Sequence, residues 1–189
     1  MKKVGILGGT FSPPHNGHLI IANEVMSALE LDEIWFMPNQ VPPHKERPDT
    51  ASNENRLEML RLALEGNEKF KIETIEWQRS GASYTIDTMK LLTDLYPRQH
   101  FYFIIGADMI EYLPKWQKID ELVQLVNFVG VDRPSYSHET KYPITLVNIP
   151  IIDISSSMIR ERLGNGKTVR YLLPDSVSQY IKENHLYGT

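Results

Sequence analysis

Cysteine is absent from this chain of 189 residues, which excludes disulfide bonds and thiolate metal sites and agrees with a reducing compartment, the cytoplasm. The chain also lacks an apolar run near the roughly 20 residues that would span a membrane. It has no basic excess, since 20 Lys and Arg against 24 Asp and Glu leave a net charge of -4. Broad binding to nucleic acid usually needs such an excess, so neither a membrane nor a nucleic acid is expected as a partner.

Apolar runs alternate with segments of helical periodicity, and this alternation predicts a parallel sheet covered by helices. Two lysines and an apolar run at the N-terminus resemble a signal peptide, but the run is short and ends in glycines, so we interpret it as a buried strand. Strands are predicted at residues 4–7, 34–37, 70–75, 101–105, 126–131 and 144–147. Helices are predicted at 17–29 and 53–64, through 89–95, through 159–163, and at 175–184. We therefore expect an α/β fold with a Rossmann-like, doubly wound parallel sheet in a single domain, residues 1–189.

Polar and glycine-rich segments follow three of the predicted strands. They are residues 8–18, 38–45 and 106–108. Ligands of open α/β sheets bind outside the carboxyl ends of the strands. We therefore expect these segments to share one site.

The first segment has the composition of an anion site. Gly8 and Gly9 allow a sharp turn and a close approach of the backbone to a ligand. His15 and His18 stand three residues apart at a helix N-terminus, so they face the same side. Free N–H groups, the helix dipole and two imidazoles suit a polyphosphate.

Other interpretations of these residues stay open at this stage. A Gly-Gly pair is often only a tight turn, and a His-x-x-His pair can bind zinc, although no further ligand is indicated by local spacing. The glycines do not fit the dinucleotide-binding pattern G-x-G-x-x-G. The segment 166–168 resembles the end of a phosphate-binding P-loop, but Glu161 stands where that loop needs glycine.

Two segments together resemble a known family. Residues 8–18, G-G-T-F-S-P-P-H-N-G-H, resemble the first signature of the nucleotidyltransferase α/β-phosphodiesterase superfamily, G-G-T-F-D-P-x-H-x-G-H. Residues 154–160, I-S-S-S-M-I-R, resemble its second signature, I-S-S-T-x-I-R. In the second segment the serines can cap a helix, and Arg160 follows about one turn later, where a guanidinium can reach a phosphate. The resemblance spans most of the chain.

Further segments resemble the bacterial nicotinate-mononucleotide adenylyltransferases within that superfamily. They are residues 38–45, 83–88, 106–108 and 113–116. The resemblance implies transfer of AMP from ATP to nicotinate mononucleotide, which gives nicotinate adenine dinucleotide and pyrophosphate. Tyr84 and Thr85 would hold the nicotinate carboxylate, and Trp116 would stack on the pyridine ring. The open alternative is another adenylyltransferase, such as the pantetheine-phosphate type.

The resemblance also implies a role for each matching residue. The residues expected to meet phosphate charge during catalysis are His15, His18, Lys45 and Arg160. Those expected to bind ATP are Gly8, Gly9, Thr10, Phe11, Gly106, Asp108, Ile154, Ser155 and Ser156. Those expected to bind nicotinate mononucleotide are His44, Tyr84, Thr85 and Trp116. Mg²⁺ would arrive with ATP and keep most of its waters, so no metal site made of protein ligands is predicted.

One position departs from the signature, because Ser12 replaces its usual aspartate. The loss of a carboxylate removes a partner for magnesium or a ribose. A second hypothesis is therefore a nucleotide-binding relative without catalysis. A homo-oligomer such as a dimer is considered as well, and no feature of the sequence decides it.

Overall fold

A computed structural model describes residues 1–40, 50–78, 84–132, 140–150 and 152–189, without the side chains of residues 107, 108 and 132. The described strands are β1 (Lys2–Gly9), β2 (Glu33–Pro38), β3 (Phe70–Ile72), β4 (Gln99–Gly106), β5 (Asn127–Asp132) and β6 (Ile144–Asn148). The described α-helices are α1 (Asn16–Ala28), α2 (Asn53–Leu64), α3 (Thr85–Leu95), α4 (Ala107–Ile110), α5 (Ile119–Leu125), α6 (Ser156–Gly164) and α7 (Asp175–Glu183). Within these ranges, no helix is both long and apolar enough to cross a membrane.

The strands form one sheet in the order β3-β2-β1-β4-β5-β6, and every pair of neighbours is parallel. The chain moves outward from β1 to β3 and then returns to place β4 on the other side of β1. The direction of winding therefore reverses between β1 and β4, where open α/β sheets bind their ligands. This topology confirms the Rossmann-like, doubly wound parallel sheet.

Alternate side chains of β1 enter two apolar layers. Ile6 packs on one face of the sheet together with residues of α3 and α5, and Leu7 packs on the other face with residues of α1 and α2. Both faces of the central strand are buried, as an apolar run without polar alternation predicts. A third cluster joins α2 to α6 and α7 through Met59, Ile159 and Val177.

Most predicted elements lie where the pattern placed them, and the differences are short elements. The predicted strand at 70–75 ends at Ile72, and a 3-10 turn follows at Ile75–Gln78. Helices α4 and α5 were not predicted. They contain 4 and 7 residues, which is too short for apolar periodicity to show.

The packing of α3 gives a prediction for stability. Leu92 is 0% exposed and Leu95, on the same helix, is 57% exposed. We expect Leu92→Ala to lower the free energy of unfolding by about 2–5 kcal/mol, because it removes buried methyl groups and leaves a cavity. Leu95→Ala is the matched control and should change it by less than about 1 kcal/mol. Urea unfolding followed by circular dichroism measures both values, and equal losses would contradict this packing.

Candidate active site

The loop after β1 folds back over the end of its own strand. Phe11 has a positive φ of 49° and a ring that is only 1% exposed. A Cβ at Gly9 would lie 3.1 Å from that ring, so a larger residue there would press on Phe11. Gly8 and Thr10 are exposed at the carboxyl end of β1, the edge at which open α/β sheets bind their ligands. Phe11 thus belongs to the core, and only its backbone is available to a ligand.

His15 and His18 form one unit at the N-terminus of α1. The backbone N–H of His15 donates to Nδ1 of His18 at 3.2 Å, and the two rings stack with their centroids 3.7 Å apart. The edge of Phe11 contacts the His18 ring at 4.9 Å. Gly17 makes room for this arrangement, because a Cβ there would lie 3.0 Å from Nδ1 of His15. The two histidines therefore share one side of the helix, as predicted.

The surroundings of His18 keep its ring neutral. Burial lowers the pKa of His18 well below its ordinary value, and the charge that His15 can carry lowers this pKa further. Because Nδ1 accepts a hydrogen bond, we assign the ring proton to Nε2. At neutral pH, His18 therefore offers a hydrogen-bond donor and no net charge.

The second signature contacts the first directly. The hydroxyl of Ser155 caps α6 by accepting the N–H of Met158 at 3.2 Å. The Ser156 hydroxyl donates to the carbonyl of Pro13 at 2.8 Å. Arg160 donates through Nη1 to the carbonyl of Ser12, also at 2.8 Å.

These contacts join positions 143 and 148 residues apart. The N-termini of α1 and α6 therefore meet at the turn 12–14, and each brings the positive end of a helix dipole. Next to this turn, Ile154 would lie 3.6 Å from a Cβ at Gly17. Arg160 is half-buried and lines a cleft of about 890 Å³ between α6, the start of α2 and the C-terminus.

Ser12 is buried between three segments. Its hydroxyl accepts the backbone N–H of Ala51 at 3.1 Å and shares a hydrogen bond of 2.8 Å with the hydroxyl of Tyr187. Its side chain is 1% exposed. The departure from the signature thus concerns a position that ties the first loop to the segment before α2 and to the C-terminus.

The residues expected to bind the acceptor lie on other elements, at the same end of the sheet, where the strands have their carboxyl ends. Tyr84 occupies the N-cap position of α3 and is 47% exposed, and Thr85 is the first residue of that helix. Because α3 leads into β4, its N-terminus lies toward the carboxyl ends of the strands. The Trp116 ring is half-buried and contacts Phe103 and Phe128 edge-on at 6.0 Å and 5.9 Å.

Three expected site residues cannot be placed in this geometry. His44 and Lys45 lie outside the described residues, and so does the side chain of Asp108. Gly106 ends β4 and precedes α4, as predicted for a segment at the crevice.

A buried arginine was missed by the sequence analysis. Arg56 on α2 is 0% exposed and donates to the carbonyls of Thr10 and Asn39 at 2.7 Å and 2.8 Å. It occupies the buried stripe of α2, which continues through Met59, Leu60, Ala63 and Leu64. An arginine in register with an apolar stripe is the signal that could have revealed it.

The comparisons with known proteins agree with these two joined signatures. A family model described as cytidylyltransferase-like matches residues 6–162. A probable nicotinate-nucleotide adenylyltransferase of Bacillus licheniformis is 58% identical over 100% of both chains. The nicotinate-nucleotide adenylyltransferase of Bacillus subtilis is 56% identical over 99% of each chain. The chain belongs to the cytidylyltransferase-like family.

Two solved structures share the fold of this chain. The nicotinic acid mononucleotide adenylyltransferase of Plasmodium falciparum, solved in complex with NaAD, superimposes with a TM-score of 0.83 at 23% identity. The match covers 99% of this chain and 98% of that one. A second structure of the same Plasmodium enzyme, with APC bound, gives a TM-score of 0.82 at 22% identity over the same shares of the two chains. At such identities the likeness concerns the fold alone.

The described side chains do not provide a resident metal centre. No group of three His, Asp or Glu residues in these ranges is arranged to hold a metal ion. Nδ1 of His18 is already occupied by the N–H of His15, so the His-x-x-His pair is poorly arranged for zinc. The side-chain donors to the turn 12–14 are instead the Ser156 hydroxyl and the Arg160 guanidinium, neither of which is a metal ligand.

The neutral state of His18 predicts a pH dependence. A folded pKa below the unfolded value, about 6.5, means that the unfolded chain binds more protons, so the free energy of unfolding falls as the pH drops below that value. We expect nitrogen NMR spectra of the imidazole rings to show His18 as a neutral Nε2–H tautomer at pH 6. A spectrum in which the His18 ring is protonated at pH 6 would contradict the assignment.

Proposed function

We propose that this protein transfers AMP from ATP to nicotinate mononucleotide, giving nicotinate adenine dinucleotide and pyrophosphate in NAD biosynthesis. The observation that carries the proposal is the contact of the two signatures, in which Ser156 and Arg160 hold the carbonyls of Pro13 and Ser12. This contact assembles two helix N-termini and the histidine pair at the end of β1. It supports an adenylyl-transfer site in a chain of this family.

The chemistry requires alignment more than covalent participation. An oxygen of the 5′-phosphate of nicotinate mononucleotide attacks the α-phosphorus of ATP, and the bond from that phosphorus to the bridging oxygen of the β-phosphate breaks. Pyrophosphate leaves with the electron pair. The acceptor phosphate is itself the nucleophile, so the protein has to hold two anions in line and stabilise charge on the transferring group.

His18 and His15 are suited to meet the ATP phosphates. The Nε2–H of neutral His18 is a hydrogen-bond donor. Because the ring is neutral, the protein avoids the free-energy cost of burying a charge before ATP binds. An arriving polyphosphate favours protonation of a nearby imidazole, so the positive charge can appear when the substrate is present. Lys45 and His44 are proposed to approach phosphates from the segment after β2.

The remaining ATP contacts are proposed mainly for backbone groups. Gly8, Gly9, Thr10 and Gly106 lie at or just after the carboxyl ends of β1 and β4, where their backbone groups are proposed to meet ATP. The N-terminus of α6 supplies N–H groups from the serines that follow Ile154, close to the turn 12–14. Asp108 is proposed to accept a hydrogen bond from a ribose hydroxyl.

The acceptor is proposed to lie between α3 and Trp116. The first N–H groups of α3, with the Thr85 hydroxyl, offer donors to both oxygens of the nicotinate carboxylate. A nicotinamide would turn its NH₂ group toward the same donors, which gives a physical basis for discrimination. The half-buried Trp116 offers the flat surface on which a pyridine ring can stack.

Mg²⁺ is proposed to enter with ATP as part of the substrate. A cation that bridges phosphates and keeps several waters needs few protein ligands, and the donor set around the turn 12–14 fits a magnesium-bound polyphosphate better than a bare metal. Bound there, it would neutralise part of the phosphate charge. ATP as a substrate is consistent with the cytoplasmic location that the composition predicts.

Ser12 fits a catalytic protein better than an inactive relative. Both partners of its hydroxyl are protein groups, the N–H of Ala51 and the hydroxyl of Tyr187. Its hydroxyl links the first loop to the segment before α2 and to the C-terminus. This role requires no contact with the substrate. The inactive relative predicts ATP binding without any release of pyrophosphate.

An acceptor panel tests the proposed reaction. With ATP and magnesium, we expect pyrophosphate release with nicotinate mononucleotide and at least about tenfold lower kcat/KM with nicotinamide mononucleotide, because the N-terminus of α3 offers hydrogen-bond donors that suit a carboxylate. A coupled pyrophosphate assay measures both. Equal or better use of phosphopantetheine would move the protein to the pantetheine-phosphate type, and no release with any acceptor would favour the inactive relative.

His18→Ala tests the proposed role of the histidine pair. We expect kcat to fall by about 100-fold or more, because a donor to the reacting phosphates is lost. The circular dichroism spectrum should stay unchanged, since His18 belongs to none of the three apolar clusters. His100→Ala, at an exposed position on β4, is the control and should keep full turnover. Near-normal turnover of His18→Ala would remove this residue from the mechanism.

A further inference from the structure

We propose that Arg56 is a positioning residue of the adenylyl-transfer site, which orients the His18 ring by holding the loop between β1 and α1. This inference rests on the proposed function for its kinetic consequence. Its structural part is independent of that function. No motif of the sequence analysis contains Arg56.

The guanidinium group joins the ends of two neighbouring strands. Gly9 and Pro38 are paired at the end of the β1–β2 ladder, and the N–H of Asn39 donates to the carbonyl of Gly9 at 2.9 Å. Beyond this point the backbones no longer pair. Arg56 then donates through Nη1 to the carbonyl of Thr10 at 2.7 Å and through Nη2 to that of Asn39 at 2.8 Å.

The fork shape of arginine is needed for this contact. A planar group with separate Nη atoms can hold two carbonyl oxygens at fixed positions, whereas a lysine ammonium is a point charge on a flexible stem. The side-chain oxygen of Asn53, at 2.6 Å from Nη2, anchors the guanidinium from its own helix. The Trp77 ring lies 5.7 Å from the guanidinium carbon.

The burial of Arg56 indicates that the geometry of the loop between β1 and α1 requires this residue. Among the described residues, no carboxylate forms a salt bridge with it. Burial lowers the pKa of its guanidinium, although an arginine stays charged. A buried charge without an ionic partner is costly to keep. Its hydrogen bonds to the loop carbonyls offset part of this cost.

The contact with Thr10 leads directly to His18. The next residue, Phe11, holds a positive φ of 49°, a conformation that costs a bulky residue about 1–3 kcal/mol and persists only where its surroundings enforce it. Its buried ring lies edge-on to the His18 ring, with the centroids 4.9 Å apart. Arg56 holds the carbonyl of Thr10, the residue before Phe11, and the ring of Phe11 contacts the ring of His18. Loss of the fork should therefore let the Phe11 and His18 rings move together.

Arg56→Lys keeps the charge and removes the fork, and Arg61→Lys is the matched control on the same helix. Arg61 is exposed, and its Nη1 lies 3.3 Å from a carboxylate oxygen of Glu58. We expect Arg56→Lys to lower kcat about tenfold or more while the KM for nicotinate mononucleotide stays within about twofold, because misplacement of a reacting group by about 1 Å slows the chemical step. Arg61→Lys should keep both values.

NMR of the ligand-free protein gives a readout that needs no activity. In Arg56→Lys, the Cε1–H resonance of His18 should shift, because the ring current of Phe11 acts on it from a new position. It should not shift in Arg61→Lys. If the unmodified protein releases no pyrophosphate, the proposed function fails, and this resonance still tests the role of Arg56.

Two outcomes would overturn the proposal. One is a folded Arg56→Lys protein with unchanged kcat and an unchanged His18 resonance, even if its melting temperature is lower, since Arg56 would then be structural only. The other applies if Arg56→Lys does not fold. In that case Asn53→Ala, which removes the anchor of the guanidinium, should shift the His18 resonance in a folded protein, and no shift would contradict the proposal.

Discussion

The backbone carbonyls of the loop after β1 have left the sheet and need donors from elsewhere. Three of them receive side-chain donors from distant parts of the chain: Thr10 from Arg56, Ser12 from Arg160 and Pro13 from Ser156. A buried carbonyl without a donor costs free energy, and the two prolines of this loop supply no N–H of their own. The shape of the loop therefore depends on α2 and α6, and the site exists only when both helices are packed in place.

This dependence links packing to the electrostatics of the site. Two of the three donors are guanidinium groups, so the bonds that hold the loop also concentrate positive charge in a chain with a net charge of -4. The histidine pair adds donors while His18 stays neutral. Groups that are fixed before a substrate arrives are the condition for electrostatic stabilisation of a transition state, and this is the role proposed for the loop.

Ser12 illustrates how a signature position can hold the loop in place. Its hydroxyl lies between Ala51 and Tyr187, and its carbonyl accepts from Arg160. The residue thus connects the first loop to the start of α2, to α6 and to the last residues of the chain. From the signature alone, an aspartate replaced by serine suggests a lost metal or ribose partner, and the geometry gives this position a different neighbourhood.

The sequence by itself determined the positions of strands and long helices along the chain, the parallel sheet, the family and the two signatures. These follow from local periodicity, turn residues and spacing. It did not reveal α5, whose 7 residues carry too little periodicity, or the buried role of Arg56. Only the tertiary structure decided which side chains hold the loop carbonyls, since those bonds join residues 46, 143 and 148 positions apart. Their partners are selected by the packing of α2 and α6 against the loop, and such long-range contacts leave no periodic pattern in the sequence.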